Sequence, residues 1–282
     1  MYDDILLPVD GATEASGMLH HAGEIAHRMD ATVRLLYVAD TARDSVTLVD
    51  GGVVDALERE GREVVESAGD VLDTLGVEHG TDVVQGDPAT TIVDYAEEYG
   101  YDVVAMPTHG RTGLSRYLLG SVTEKVVRLS RVPVLTARTG DALTFPYERI
   151  LLATDGSASA RRAADHAVSL AASLDATLHV LRVVDDAGLG PDVRSALSAD
   201  ETSAREAVDA VAANAAESDV ATVTRVEHGA PAEVLGEYVD DHDVHAVVIG
   251  TAGRRGVDRI LLGSVAEKTV RSSPVPVITV RE

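Results

Sequence analysis

The sequence predicts two doubly wound α/β domains in tandem, and three observations carry that prediction. The chain repeats itself: YDDILLPVDGATEAS from Tyr2 returns as YERILLATDGSASAR from Tyr147, and VRLLYVAD returns as LHVLRVVD, both at an offset of 145 residues. From Gly86, which matches Gly229, the offset is 143 and stays so to the C-terminal pair RVPVLTAR and PVPVITVR. Within each copy, short apolar runs alternate with segments of helical spacing. Those runs are continuous rather than alternating, the pattern of parallel strands covered on both faces. The repeat is far longer than a solenoid unit, so each copy reads as a domain: 1–138 and 147–282, with 139–146 as linker.

The first copy defines the elements. Ile5 to Val9 is a buried strand, followed by Ala15, Met18, Leu19, Ala22, Ile25, Ala26 and Met29 at helical spacing. Val33 to Val38 is a second strand, and Asp40 to Gly52 a polar, irregular loop. A helix runs from Val54 to about Leu75 and ends at Gly76, a residue suited to a helix C-terminus. Asp82 to Val84 belongs to a third strand, and Pro88 opens a short helix as a first-turn proline. Val103 to Met106 is the fourth strand, Val122 to Leu129 lies in the last helix, and Val132 to Thr136 is the fifth strand, with Val275 to Thr279 its counterpart. In such sheets ligands sit beyond the C-terminal strand ends, where strand order reverses. Asp10 with Gly11, and Pro107 to Gly110, follow strands one and four directly.

Composition narrows the classes of function. With 45% apolar and 25% charged residues the chain is globular rather than disordered. It holds no apolar run long enough to span a bilayer, and its N-terminus lacks the basic and apolar regions of a secretory signal. There is no cysteine, hence no disulfide framework and no thiolate metal site. The expectation is a cytoplasmic protein. A net charge of -23 opposes binding to nucleic acid or to an anionic membrane. Of the 24 basic residues only Lys125 and Lys268 are lysine, an acidic, lysine-poor balance like that of proteins from salt-accumulating (halophilic) microbes.

Against that acidity one repeated stretch is basic. Residues 107–131 carry Arg111, Arg116, Lys125, Arg128 and Arg131 against Glu124, a net of +4. Residues 250–274 carry Arg254, Arg255, Arg259, Lys268 and Arg271 against Asp258 and Glu267, a net of +3. Both run from a strand through a Gly/Arg loop to Gly-Ser at the start of a helix, where free N–H groups and the helix dipole favour an anion. Ser121-Val-Thr-Glu124 and Ser264-Val-Ala-Glu267 also satisfy the capping-box pattern, in which the serine serves its own helix. Asp10 and Asp155 are open to two readings as well, ligand contact or turn residue. Other chemistries fail: there is no P-loop, no G-x-G-x-x-G after the first strand, no nucleophile elbow, and no zinc-binding histidine pattern. His109 lies in the loop, but its counterpart is Ala252.

At these residues the sequence resembles the universal stress protein family over nearly its whole length. The nucleotide-binding branch has Gly, two residues, Gly, nine residues, Gly, then Ser or Thr. The second half fits throughout, with Gly250, Gly253, Gly263 and Ser264. The first half has Gly110, Gly120 and Ser121 but Pro107 at the first glycine. The resemblance implies adenine-nucleotide-hydrolase-like domains, each a five-stranded parallel sheet of order 3-2-1-4-5, with an ATP site in each. It assigns the adenine side to Pro8, Val9, Asp10 and Val38, and to Ala153, Thr154, Asp155 and Val183. Ribose and phosphates fall to Pro107, Gly110, Arg111, Gly113 and Gly120, and to Gly250, Gly253, Arg254, Gly256 and Gly263. Ser121, Val122 and Thr123, and Ser264, Val265 and Ala266, take the phosphate tail. The ligand is ATP, with AMP or ADP as variants, and Mg2+ or Mn2+ is held through the phosphates rather than by protein ligands alone.

Family dimers pair their fifth strands, which implies a covalent pseudo-dimer here and leaves room for a further homodimer. The implied role is stress response or regulation; a slow ATPase or self-phosphorylating protein, and a nucleotide-free scaffold, are the competing readings. Proline at 107 has no N–H, which predicts two unequal sites, the second tighter.

Overall fold

The computed structural model describes residues 1–11, 17–40, 54–108, 119–138, 143–185, 194–252 and 262–282. It divides into two units, Met1–Phe145 and Pro146–Glu282. Among the described residues of the first, these elements follow in order: β1 (Asp4–Pro8), α1 (Met18–Met29), β2 (Thr32–Ala39), α2 (Val54–Leu75), β3 (His79–Gln85), α3 (Pro88–Tyr99), β4 (Val103–Pro107), α4 (Ser121–Leu129) and β5 (Val134–Ala137). In the second they are β6 (Arg149–Ala153), α5 (Ala158–Leu174), β7 (Thr177–Val184), α6 (Arg194–Glu217), β8 (Thr222–His228), α7 (Pro231–Asp241), β9 (Ala246–Gly250), α8 (Ser264–Ser272) and β10 (Val277–Val280). The strand orders are β3-β2-β1-β4-β5 and β8-β7-β6-β9-β10, every pair within a unit parallel. Order reverses between β1 and β4, and between β6 and β9.

Burial explains the continuous apolar runs. Ile5, Leu6 and Leu7 on β1, and Ile150, Leu151 and Leu152 on β6, are at most 1% exposed, because helices cover both faces of these strands. Tyr2 and Tyr147, one residue pair of the repeat, are buried ahead of those strands. Local chemistry sets the helix ends. Asp87 caps α3, its side chain accepting the Thr90 N–H at 3.0 Å ahead of Pro88. Gly76 ends α2 at φ +67, a left-handed conformation that glycine adopts without strain.

The structure shifts some predicted bounds. The fifth strands begin at Val134 and Val277 rather than at 132 and 275. Pro133 and Pro276 lack an N–H, and the Ser130 and Ser273 hydroxyls donate to Val132 O and Val275 O, holding those residues in a turn. The capping-box reading is corrected too. Gly120 and Gly263 are the N-caps, and each serine is the first helical residue with no side-chain cap bond. The predicted loop from Asp40 to Gly52 (beyond Asp40 itself), Ala15 in the first predicted helix, and linker residues 139–142 lie outside the described residues.

Two prolines make the units differ at the reversal point. In the second unit β6 registers against β9 over four pairs, from Ile150↔Ala246 to Ala153↔Ile249. In the first, β1 registers against β4 only at Ile5↔Val103 and Leu6↔Val104. Val9 N–H donates to Leu36 O on β2, and Thr108 N–H to Ala137 O on β5. Successive N–H groups of a strand point to opposite neighbours, so the nitrogens of Pro8 and Pro107 both face the β1–β4 seam. Neither carries a hydrogen, and the ladder stops short. The equivalent residues of the second unit, Ala153 and Gly250, both carry donors.

Candidate functional site

At the β6–β9 reversal point of the second unit lies a cavity of about 680 Å³. Its floor is made by the strand ends: Ala153, Thr154 and Asp155 on and after β6, Arg182 to Asp185 on and after β7, and Ile249, Gly250 and Ala252 on and after β9. Leu262, Gly263, Ser264, Val265 and Ala266 close one side, and Ala160, Pro231 and Leu235 complete the wall. Nine of the residues singled out in the sequence therefore meet there: Ala153, Thr154, Asp155, Val183, Gly250, Gly263, Ser264, Val265 and Ala266. Gly253, Arg254 and Gly256 lie outside the described residues, as do Arg255 and Arg259.

The α8 end of the cavity is suited to an anion. The first intrahelical bond of α8 runs from Glu267 N–H to Gly263 O at 2.8 Å. Ser264, Val265 and Ala266 precede it, so their N–H groups have no intrahelical acceptor, and together with the dipole they place roughly half a positive charge at this end. The loop between β9 and α8 is tied at its root, Gly263 N–H donating to Thr251 O at 2.8 Å and Thr251 N–H to Val280 O at 2.9 Å. Gly250 is required by close approach: a Cβ there would lie 2.8 Å from the Ser159 carbonyl carbon and 2.9 Å from Ala160 N.

The strand-end side has a different character. Asp155 Oδ1 accepts the Ser157 N–H at 2.9 Å, so this carboxylate serves the turn that leads into α5. Arg182 Nη1 donates to Thr154 O at 3.4 Å and brings the single cationic side chain among the described lining residues. Arg182, Asp185, Leu235 and Leu262 escaped the sequence reading. The Gly-x-Pro before α7 was the available signal for Pro231.

In the first unit the same chain positions recur. Val9 is buried at the end of β1, Asp10 and Val38 are half-buried, and Gly120, Ser121 and Val122 stand at the start of α4. The loop root repeats, Gly120 N–H donating to Thr108 O at 2.7 Å. Thr123 differs from its counterpart Ala266: its buried hydroxyl donates to Pro107 O at 2.9 Å, leaving its backbone N–H for any ligand. Because the Pro107 nitrogen faces β1, the proline shortens the strand seam instead of deleting a donor aimed at a ligand. Gly110, Arg111, Gly113, Arg116 and His109 lie outside the described residues. Of the remaining basic residues in the two stretches, Lys125 approaches Asp87 at 3.9 Å and Arg271 pairs with Glu267 at 2.9 Å. These serve the helix surface.

Among the described residues no group of three or more His, Asp or Glu side chains is arranged to hold a metal ion. No helix among them is long and apolar enough to cross a membrane.

A parallel sheet covered on both faces, with a cavity where the strand order of the second unit reverses, defines the class: tandem doubly wound α/β domains. The universal stress protein family model matches residues 1–138 and again residues 146–281, and the chain belongs to that family. A universal stress protein of Mycolicibacterium smegmatis is 29% identical over 98% of this chain and 96% of its own length. One from Methanocaldococcus jannaschii is 34% identical over 49% of this chain and 83% of its own length, the extent of one domain. The crystal structure of a universal stress protein from Archaeoglobus fulgidus superposes with a TM-score of 0.76 at 24% identity, covering 99% of this chain and 98% of that one; the likeness shows the shared fold.

Proposed function

We propose that the chain is an ATP-binding regulatory protein of the stress response that holds its nucleotide in the cavity of the second unit. The observation that carries this reading is the meeting of two kinds of surface in one cavity. Apolar strand ends, with Val183 8% exposed and Ile249 5% exposed, offer a flat apolar bed for a purine. The three N–H groups of Ser264, Val265 and Ala266 offer a seat for phosphate oxygens. Asp155 and Asp185 fall on the strand-end side, so repulsion directs the phosphates toward α8. A divalent cation, Mg2+ or Mn2+, rides on the phosphates.

The first unit supplies a second site around Pro8, Val9, Asp10, Val38, Pro107, Gly120, Ser121, Val122 and Thr123, weaker because its shortened β1–β4 seam holds the strand ends less firmly. The loop residues Gly110, Arg111 and Gly113, and Gly253, Arg254 and Gly256, complete the two sites on the family pattern. The same reading makes the tandem chain a pseudo-dimer through its fifth strands, free to form a further homodimer, in the cytoplasm of a salt-accumulating cell. On this reading the nucleotide is held rather than rapidly turned over.

Calorimetric titration of the full chain with ATP in high salt tests the proposal. Saturable binding, with the tighter site abolished by substitutions in the second unit, is expected. No binding, or a tighter site in the first unit, would reject it.

A further inference from the structure

We infer that Ser157 and Ser159 are positioning residues, a pair of hydroxyls that clamp the first turn of α5 onto the root of the glycine loop and set the shape of the second unit's cavity. Ser157 Oγ donates to Ala252 O at 3.1 Å, and Ser159 Oγ donates to the same carbonyl. A carbonyl oxygen has two lone pairs, so the two serines together saturate Ala252. Ser157 is also the N-cap of α5, its oxygen accepting the Ala160 N–H at 3.2 Å. One hydroxyl thus serves helix and loop at once. Ser159 is 2% exposed, and its hydroxyl oxygen lies 3.2 Å from that of Ser157, so the pair also touches each other.

Gly250 permits the contact. A Cβ there would overlap the Ser159 backbone and the Ala160 nitrogen, so only a glycine lets α5 come this close to the end of β9. Ala160 and Ala252, one on each side of the clamp, both line the cavity. Holding them together fixes this part of the cavity lining.

The sequence of the first unit carries neither serine at the aligned positions and no glycine for Gly250. At the aligned positions it has Ala12 for Ser157, Glu14 for Ser159 and Pro107 for Gly250. Ala158, the first residue of α5, aligns with Thr13, yet α1 begins at Met18, five residues later, after Gly17 at φ +75. There the strand end is tied from the other side, by the Thr123 hydroxyl on Pro107 O, where the second unit has Ala266.

The inference rests on the proposed nucleotide reading only for its functional consequence. Ser157→Asp keeps a good helix cap but has no proton to donate to Ala252. Ser159→Ala removes the second donor, and Ser157→Thr retains both roles. The measurements on the full chain are amide exchange at Gly263 and Thr251 without ligand, the melting temperature, and ATP affinity. The double variant Ser157→Asp/Ser159→Ala is expected to exchange at Gly263 about 3- to 10-fold faster per lost bond. ATP affinity should fall by a similar factor, with Ser157→Thr near wild type. Unchanged exchange in the double variant overturns the clamp. Accelerated exchange in a chain that never binds ATP upholds the clamp and rejects the nucleotide reading instead.

Discussion

Replacing Ser264 by proline isolates the backbone contribution of α8 to ligand binding. Ser264 is the first residue of the helix, where proline is well tolerated because the missing N–H has no intrahelical partner. The residue before it, Gly263, sits at φ -62 and ψ 143, the extended conformation that a following proline demands. Helix and loop root should both survive, since Gly263 keeps its own N–H bond to Thr251 O. Only one of the three donors at the end of the cavity disappears, along with the hydroxyl. A hydrogen bond to a charged phosphate oxygen contributes about 1.5 to 3 kcal/mol, so ATP affinity should drop about ten- to a hundredfold. Ser264→Ala removes the hydroxyl alone and serves as the reference. Calorimetric titration in high salt gives the affinities, and thermal melting verifies the fold. If Ser264→Pro and Ser264→Ala bind ATP equally, the helix N-terminus is not the phosphate seat.

Three further outcomes follow from the geometry. Gly250→Ala puts a methyl group against the backbone of Ser159 and Ala160; overpacking of this kind costs about 1 to 3 kcal/mol, measurable by denaturant unfolding, and ATP binding should weaken with it. Thr123→Val preserves shape but strands the buried Pro107 carbonyl, a loss of about 1 to 3 kcal/mol that should appear in the unfolding of the first unit and leave the affinity of the second unchanged. Burial lowers the His21 pKa to about 4 from 6.5, so the unfolded chain takes up this proton first. Its contribution to stability is full above about pH 6.5 and drains away as pH falls toward 4, a loss on the order of 3 kcal/mol; stability measured across that range should fall less steeply in His21→Gln.

The architecture was legible because duplication doubles every signal. Apolar runs such as Ile5 to Val9, the proline at 88 and the glycine at 76 each sit where local chemistry leaves few choices. That residues on the strand ends and at Gly-Ser would line one cavity was readable for the same reason, since position in a doubly wound sheet follows from element order. What the sequence hid is tertiary. Ser157 and Ser159 look like an ordinary helix start, and their shared acceptor lies 93 residues beyond Ser159. Pro107 was visible as a missing donor, but where that donor would point depends on strand alternation fixed by Thr108 on Ala137. Ser121 and Ser264 fit a capping box by spacing, yet Gly120 and Gly263 take the cap because their backbones are already extended. Arg182 gave no local sign, since its role at the cavity comes from reaching the Thr154 carbonyl just past the end of the neighbouring strand.

The central claim, that the second unit seats a nucleotide between its strand ends and the start of α8, is tested most directly by following backbone amide signals during an ATP titration in high salt. The amides of Ser264, Val265 and Ala266, together with Val183, should shift along one saturating curve whose midpoint matches the calorimetric affinity. Saturable binding that leaves those four amides unmoved would contradict the account.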